Sequence, residues 1–156
     1  MAMHTWFECK IRYEKVMENG MQKKVTEPYL VDALSFTEAE ARIIEEMTPF
    51  ISGEFTVSDI KRANYSELFP SDEESADRWF KCKLIFITLD EKSGAEKKTS
   101  TQVLVQAADL RDAVKKLDEG MKGTMADYQI GMVSETPLMD VYPYSAEPND
   151  KPEFDP

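Results

Sequence analysis

The sequence contains two stretches that match each other over most of their length. The string WFECKI, which begins at Trp6, returns as WFKCKL at Trp79. Two further matches follow in the same order: YLVDALSFTEAEARIIEEM from Tyr29 with VLVQAADLRDAVKKLDEGM from Val103, and ELFP from Glu67 with DVYP from Asp140. The length differences between the copies fall beside turn residues, where loops absorb them. The 156-residue chain is therefore predicted to contain two equivalent units, residues 6–70 and 79–143.

Each predicted unit consists of two strands, a helix and a third strand. In the first strand, side chains alternate between an inward and an outward face. The inward residues are Phe7, Cys9, Ile11 and Tyr13 in one copy, and Phe80, Cys82, Leu84 and Phe86 in the other. Asn19-Gly20 and Ser93-Gly94 predict tight hairpin turns, because glycine adopts a positive φ at little cost. We interpret Cys9 and Cys82 as small buried hydrophobes rather than metal or redox ligands.

The helices have recognisable starts. Ser35 with Glu38 forms a capping box, and Asp109 with Asp112 is a looser version of it. Matching apolar stripes follow at helical spacing: Phe36, Ala39, Ile43 and Met47 in one helix, and Leu110, Ala113, Leu117 and Met121 in the other. In the third strands, apolar residues lie three apart, which predicts a β-bulge in each. These pairs are Val57 with Ile60, and Ile130 with Val133.

The predicted fold is α+β, a tandem duplication of a β-β-α-β unit with pseudo-twofold symmetry. It has about six main strands and two helices, with both helices on one side of the sheets. Residues 65–70 and 138–143 are expected to form short edge strands or ordered loops. The two units are expected to share one compact domain, because either alone would leave exposed sheet edges.

The net charge of −11 is concentrated in two short segments. Residues 71–78 contain four acidic residues and one basic residue, and residues 144–156 have the same counts. We expect an acidic linker at 71–78 and a disordered acidic tail at 144–156. The tail resembles the acidic C-terminal segments of bacterial and phage single-strand-binding proteins, which recruit partners, although Phe154 is third from the end. The units themselves are close to neutral.

Several classes of function lack their usual sequence signals. No apolar run reaches the roughly 20 residues that span a bilayer, and the start has no secretory signal pattern. With only two cysteines, a cytoplasmic location is expected. The single histidine, His4, leaves no basis for a metal site or a catalytic triad, and there is no glycine-rich phosphate loop. The sequence therefore predicts a non-enzymatic protein without a cofactor.

The outward face of each first strand combines aromatic and basic residues. The candidate nucleic-acid-binding residues are Trp6, Lys10, Arg12, Trp79, Lys81 and Lys83. Rings that stack on bases and cations that bind phosphates are typical of single-stranded nucleic-acid binding. Alternatively, the tryptophans pack within the protein, and the outward residues Ile85, Ile87 and Leu104 form a homodimer or partner contact. The two hypotheses are a single-strand-binding or replication-accessory protein and a protein-interaction or regulatory module.

The motifs WFECK and YLVDALSFTEAEARI resemble a family of uncharacterised proteins from gut bacteria and their phages. The resemblance extends to about Tyr144. It implies the same duplicated unit and an intracellular setting, and it supplies no catalytic residues. The association with phages implies an accessory role in replication or regulation.

Overall fold

The protein has an α+β fold with eight strands in two four-stranded sheets and two helices. The computed structural model describes residues 5–143. Within these residues the chain divides into two compact units: the first comprises 5–63 and 138–143, and the second comprises 64–137. In chain order the elements are β1 (Trp6–Val16), β2 (Gln22–Asp32), α1 (Phe36–Met47), β3 (Phe55–Ala63), β4 (Glu67–Phe69), β5 (Arg78–Leu89), β6 (Glu96–Ala107), α2 (Leu110–Gly120), β7 (Asp127–Glu135) and β8 (Asp140–Tyr142).

The two sheets have the same topology. The first has the strand order β3-β1-β2-β8, and the second, read in the matching direction, has the order β7-β5-β6-β4. In each sheet a long antiparallel hairpin is central, and a third strand pairs with its first arm. A three-residue strand runs parallel to the second arm. This likeness supports a tandem duplication, which remains a prediction together with the pseudo-twofold symmetry.

The short edge strands are exchanged between the sequence repeats. β4 follows β3 along the chain, yet it pairs with β6 of the second sheet. Likewise β8 follows β7 but pairs with β2 of the first sheet. The repeats seen in the sequence, 6–70 and 79–143, therefore do not coincide with the spatial units. Of the two alternatives predicted for residues 65–70 and 138–143, the structure has the short edge strands, each three residues long.

The predicted β-bulges are present at equivalent places. The pairing of β1 with β3 shifts register between Lys10 and Ile11. The pairing of β5 with β7 shifts between Lys83 and Leu84. Each shift lets the two apolar residues of the third strand face the same side although they are three positions apart.

Turns and helix starts also agree with the sequence. Gly20 and Gly94 have φ of 81° and 72°, so a side chain there would be strained. The Ser35 hydroxyl accepts a hydrogen bond from the Glu38 amide at 3.1 Å. The Asp109 carboxylate accepts one from the Asp112 amide at 2.8 Å. Each cap satisfies a backbone donor that the first helical turn leaves free.

Each helix packs on one face of its own sheet and encloses a separate core. The buried residues are Phe7, Cys9, Ile11, Val31, Ala33, Ala39, Ile43 and Met47 in the first unit, and Phe80, Cys82, Leu84, Val103, Val105, Ala107, Ala113, Leu117 and Met121 in the second. The predicted stripes are confirmed except at their first members. Phe36 and Leu110 are about half exposed. The Phe36 ring still meets that of Phe7 edge-on at 4.9 Å.

Two expectations concern residues that lie outside the described range. These are the disordered acidic tail at 144–156 and the arm that carries His4. Within residues 5–143, neither helix is long and apolar enough to cross a membrane.

Candidate interaction surfaces

The two tryptophans predicted to stack on bases are buried. Trp6 is 3% exposed and Trp79 is 5% exposed. Alternation correctly places both on the sheet face opposite the helix, which we call the outer face. Solvent does not reach the two rings there. The prediction of base stacking therefore needs correction, because a ring must offer an open face to stack on a base. The alternative prediction, that the tryptophans pack within the protein, agrees with their burial.

The apolar residues predicted to form a homodimer contact are also partly enclosed. Leu104 is fully buried, and Ile85 and Ile87 are half-buried. Together they do not form the exposed patch that the alternative hypothesis requires.

The predicted phosphate-binding cations differ between the two sheets. In the first sheet, Arg12 is exposed and Lys10 is half-buried, and Asp59 lies directly across from Lys10 on β3. In the second sheet, Lys81 and Lys83 are half-buried, and their cross-strand partners carry no charge. The cations on the outer face of the second sheet are therefore more available to an anionic ligand, because no carboxylate lies directly across from them.

Lys83 lines a polar cleft of about 210 Å³ within the second unit. The other lining residues are Asn64, Ser100, Thr101 and Gln102. The amides of Asn64 and Gln102 and the hydroxyl of Ser100 can donate hydrogen bonds, and Lys83 adds a positive charge. The Thr101 hydroxyl already donates to that of Ser66 at 2.9 Å. This set of donors suits an anionic oxygen ligand such as a phosphate group.

The outward side of α1 carries a row of uncharged residues. Thr37, Ala41, Ile44 and Thr48 lie three or four positions apart, so they share one side of the helix. All four are exposed, and Ile44 is 41% exposed. We call this row the α1 outer stripe. The Thr48 hydroxyl donates to the Ile44 carbonyl at 2.7 Å, so its hydrogen is engaged within the helix.

The corresponding row in the second unit is fully charged. The residues at the matching positions are Arg111, Lys115, Asp118 and Lys122, all exposed. The two helices have 12 and 11 residues and equivalent N-caps and core contacts, yet their outward sides differ in chemistry. An alignment of the two repeats shows this difference, so the surface can be recognised from the sequence alone.

Further differences extend the apolar surface of the first unit. Leu34 and Phe50 flank α1 and are each 76% exposed, whereas Ala108 and Thr124 occupy the matching positions of the second unit. α1 contains four glutamates and one arginine, whereas α2 contains three acidic and three basic residues. The α1 outer stripe is therefore apolar in the middle and acidic at its margins, where Glu40 and Glu45 are exposed.

The tip of the first hairpin has the opposite charge. We define the first tip as residues 15–24, which contain three lysines and one glutamate. Val16 and Met21 are 65% and 66% exposed there, and Met17 is 40% exposed. In the second hairpin, Asp90 and Ala95 replace the two methionines, and acidic and basic residues balance.

A polar cluster holds the base of the first hairpin. The Glu27 carboxylate accepts hydrogen bonds from the hydroxyls of Tyr13 at 3.0 Å and Tyr29 at 3.3 Å, and it pairs with Lys15 at 3.5 Å. Burial, and then the Glu27 charge, raise the pKa of Tyr29, so this hydroxyl stays protonated and acts as a donor. Every strong contact of Glu27 is thus supplied from within the first unit, which indicates a structural role.

A cation on each helix holds the segment that follows the exchanged strand. Arg42 donates to the carbonyls of Asp32 and Pro143, the latter at 3.2 Å. At the matching position, Lys116 donates to the Ser71 hydroxyl at 3.1 Å and pairs with Glu73 at 2.9 Å and Asp112 at 3.1 Å. The start of the predicted acidic linker is therefore fixed to α2 rather than flexible.

The fold and these surfaces define an α+β protein with two matched cores and two different exteriors. Across residues 5–143, no group of three or more histidine, cysteine or acidic side chains is placed to hold a metal ion. The chain belongs to the family described as a domain of unknown function, DUF4494, whose profile matches residues 5–144. No curated protein and no solved structure shows a significant match to the chain.

Proposed function

We propose that this protein is a non-enzymatic interaction module that binds a protein partner through the α1 outer stripe. The observation that carries the proposal is the contrast between equivalent helices: uncharged residues on α1 stand where α2 has four charged ones. Exposed apolar surface costs free energy in water, so a contiguous stretch of it is typical of a contact surface.

The surroundings of the stripe specify the chemistry of the partner. Ile44 and Phe50 offer apolar contact, and Glu40 and Glu45 at the margins attract positive charge. A partner segment that presents apolar side chains with lysine or arginine beside them fits this arrangement, and an amphipathic helix is one form of it. Complementary charges would also select against acidic partners.

The test is the binding of a synthetic amphipathic peptide of leucine and lysine, about 18 residues long so that it is helical. The charged-stripe variant, with Thr37→Arg, Ala41→Lys, Ile44→Asp and Thr48→Lys, copies the α2 residues. We expect this variant to bind the peptide at least roughly tenfold more weakly in isothermal titration calorimetry. A peptide with glutamate in place of lysine is the control and should bind weakly to both proteins. Equal binding of the lysine peptide to both proteins would refute the proposal.

Nucleic-acid binding is a second candidate, supported by the cleft at Lys83. The cleft supplies the donors that a phosphate needs, and neutral residues pair with Lys81 and Lys83 across the sheet. Because the tryptophans are buried, we propose phosphate contacts without base stacking. A replication-accessory role, as the resemblance to phage proteins implies, belongs to this candidate.

Fluorescence anisotropy with a labelled single-stranded oligonucleotide tests the second candidate. Binding should weaken with salt, with a slope of about −0.7 in log–log form for each phosphate contacted. Lys81→Gln with Lys83→Gln should abolish it, whereas Lys122→Gln on the opposite side of the sheet is the control. No binding at low salt, or no difference between the variants, would exclude this candidate.

A further inference from the structure

We infer that the partner of the α1 outer stripe is the first hairpin tip of a second molecule of this protein. The inference rests on the proposed interaction function and names its occupant. It joins the two most distinctive surfaces of the first unit, one basic and apolar, the other acidic and apolar.

The first tip projects beyond the third strand of its sheet. β3 pairs with β1 only as far as Tyr13, whereas β1 and β2 continue to pair up to Val16 and Gln22. The hairpin therefore projects beyond the third strand by about 10 Å, since a strand rises roughly 3.3 Å per residue. At the tip, Met17 and Met21 close the turn through a backbone hydrogen bond of 2.8 Å, so their side chains are presented by a defined backbone.

The base of this hairpin is stiffened. Glu27 ties Tyr13, Tyr29 and Lys15 together, as described above, and the second unit has Phe86, Val103 and Thr88 at the positions of these three. A stiff arm loses less conformational freedom when it docks than a flexible loop does.

The charges of the two surfaces are complementary. The first tip carries three lysines against one glutamate, and α1 carries four glutamates against one arginine. Lys23 and Lys24 at the tip can pair with Glu40 and Glu45 beside the stripe. Between them, the exposed methionines meet Ile44 and Phe50, so that both contacts remove apolar surface from water. An α1-to-α1 contact would instead bring like charges together.

The second unit lacks the residues that would make these contacts, although Leu89 and Met125 are exposed nearby. Asp90 and Ala95 replace the methionines of the tip, and Asp118 and Thr124 replace Ile44 and Phe50 of the α1 surface. The hairpin tip and the helix surface lie in different parts of the sequence, yet the second unit lacks the contact residues of both. This pairing within one unit favours a second molecule over an unrelated partner.

Sedimentation velocity over a dilution series of the full chain measures the association. The stripe variant is Ile44→Asp with Phe50→Thr, and the tip variant is Met17→Asp with Met21→Ala, each taken from the second unit. We expect the native chain to self-associate and each variant alone to lose at least roughly tenfold in affinity. Leu89→Asp, at the tip of the second hairpin, is the control and should associate like the native chain. Circular dichroism establishes that each variant is folded.

Mixing the two variants identifies the contact directly. The tip variant retains an intact stripe, and the stripe variant retains an intact tip, so an equimolar mixture should form a 1:1 complex. Added salt should weaken both this complex and the native association, because lysine–glutamate pairs contribute. A mixture that stays monomeric while the native chain associates would overturn the tip-to-stripe pairing.

The outcome also separates this inference from the proposed function. If the native chain stays monomeric at every concentration but binds the leucine–lysine peptide through the stripe, the second-molecule inference fails and the interaction function stands. If neither self-association nor stripe-dependent peptide binding is found, both fail.

Discussion

The two units of this protein have matched interiors and different exteriors. Their strand orders, bulges, helix caps and hairpin glycines correspond one to one, and a cysteine lies at the same place in each core. Their helices and hairpin tips, in contrast, differ at nearly every exposed position compared above. Since the buried residues dictate the fold, the shared interior explains the shared architecture. The differences outside it then point to the unit that binds a partner.

The largest effect should come from the matched cores. Phe7→Ala and Phe80→Ala each remove a buried ring at an equivalent place on β1 and β5. Each should lower the free energy of unfolding by about 3–5 kcal/mol, because the cavity adds to the lost burial. Chemical denaturation of the two variants measures this. A loss in one unit several times that in the other would contradict the equivalence of the cores.

Gly120 lies at the end of α2, against the exchanged strand β4. A Cβ at Gly120 would lie 2.8 Å from the Phe69 ring, whereas one at Gly53 would meet nothing within 4 Å. Gly120→Ala should therefore cost about 1–3 kcal/mol despite the better helix propensity of alanine. Gly53→Ala is the control and should leave stability unchanged within about 0.5 kcal/mol. Equal thermal stability of the two variants would show that β4 does not press on α2.

The contacts of Lys116 should respond to salt. Lys116→Met should cost roughly 1 kcal/mol. Lys116 binds the carboxylates of Glu73 and Asp112, so its contribution should fall as salt rises. Unfolding of the native and Lys116→Met chains at low and high salt measures this contribution. A contribution that is the same at both salt concentrations would contradict these contacts.

Acid should weaken the contact between Lys116 and Asp112. Hydrogen bonds from the Ala108 amide and from Lys116 lower the pKa of Asp112 below its ordinary 3.8. A lowered pKa adds stability above the ordinary value, and this stability is lost as the pH falls through the lowered pKa. The difference between native and Lys116→Met chains should therefore shrink in that range. A difference that stays constant as the pH falls far below 3.8 would contradict the contact.

The smallest effect at neutral pH is expected at the cysteines. Burial raises the pKa of Cys82 to about 11, and burial followed by the charges of Glu8 and Asp59 raises that of Cys9 to about 12. A raised thiol pKa stabilises the fold below the ordinary value of 9.0 and is lost as the pH rises through the raised value. Both cores should therefore lose this stability as the pH rises above 9.0. Iodoacetamide labelling from pH 8 to 12, located by mass spectrometry, reports it, and rapid labelling of either cysteine in the folded chain at its ordinary pKa would contradict it.

The features predictable from the sequence are those that depend on local chemistry. Gly20 and Gly94, the caps at Ser35 and Asp109, and the spacing of Val57 and Ile60 each specify a backbone geometry within a few residues. For that reason the strands, turns, caps and bulges agree with the structure. Side-chain alternation likewise assigns each face of a strand correctly.

The features that could not be predicted depend on distant parts of the chain. The three residues of β4 carry no signal of which sheet they join, so the sequence does not predict their pairing with β6. Alternation places Trp6 and Trp79 on the outer face, but it does not tell whether that face is open to solvent. The residues of the α1 outer stripe lie at positions where the two repeats differ, so the similarity of the repeats does not indicate them.

Transplanting the stripe tests the central claim, that the binding surface is what separates two otherwise equivalent units. The charged-stripe variant would receive the α1 residues on α2: Arg111→Thr, Lys115→Ala, Asp118→Ile and Lys122→Thr. Calorimetry with the leucine–lysine peptide should show binding restored to within roughly tenfold of the native affinity, while the charged-stripe variant alone stays weak. A folded transplant that binds no better than the charged-stripe variant would contradict the claim.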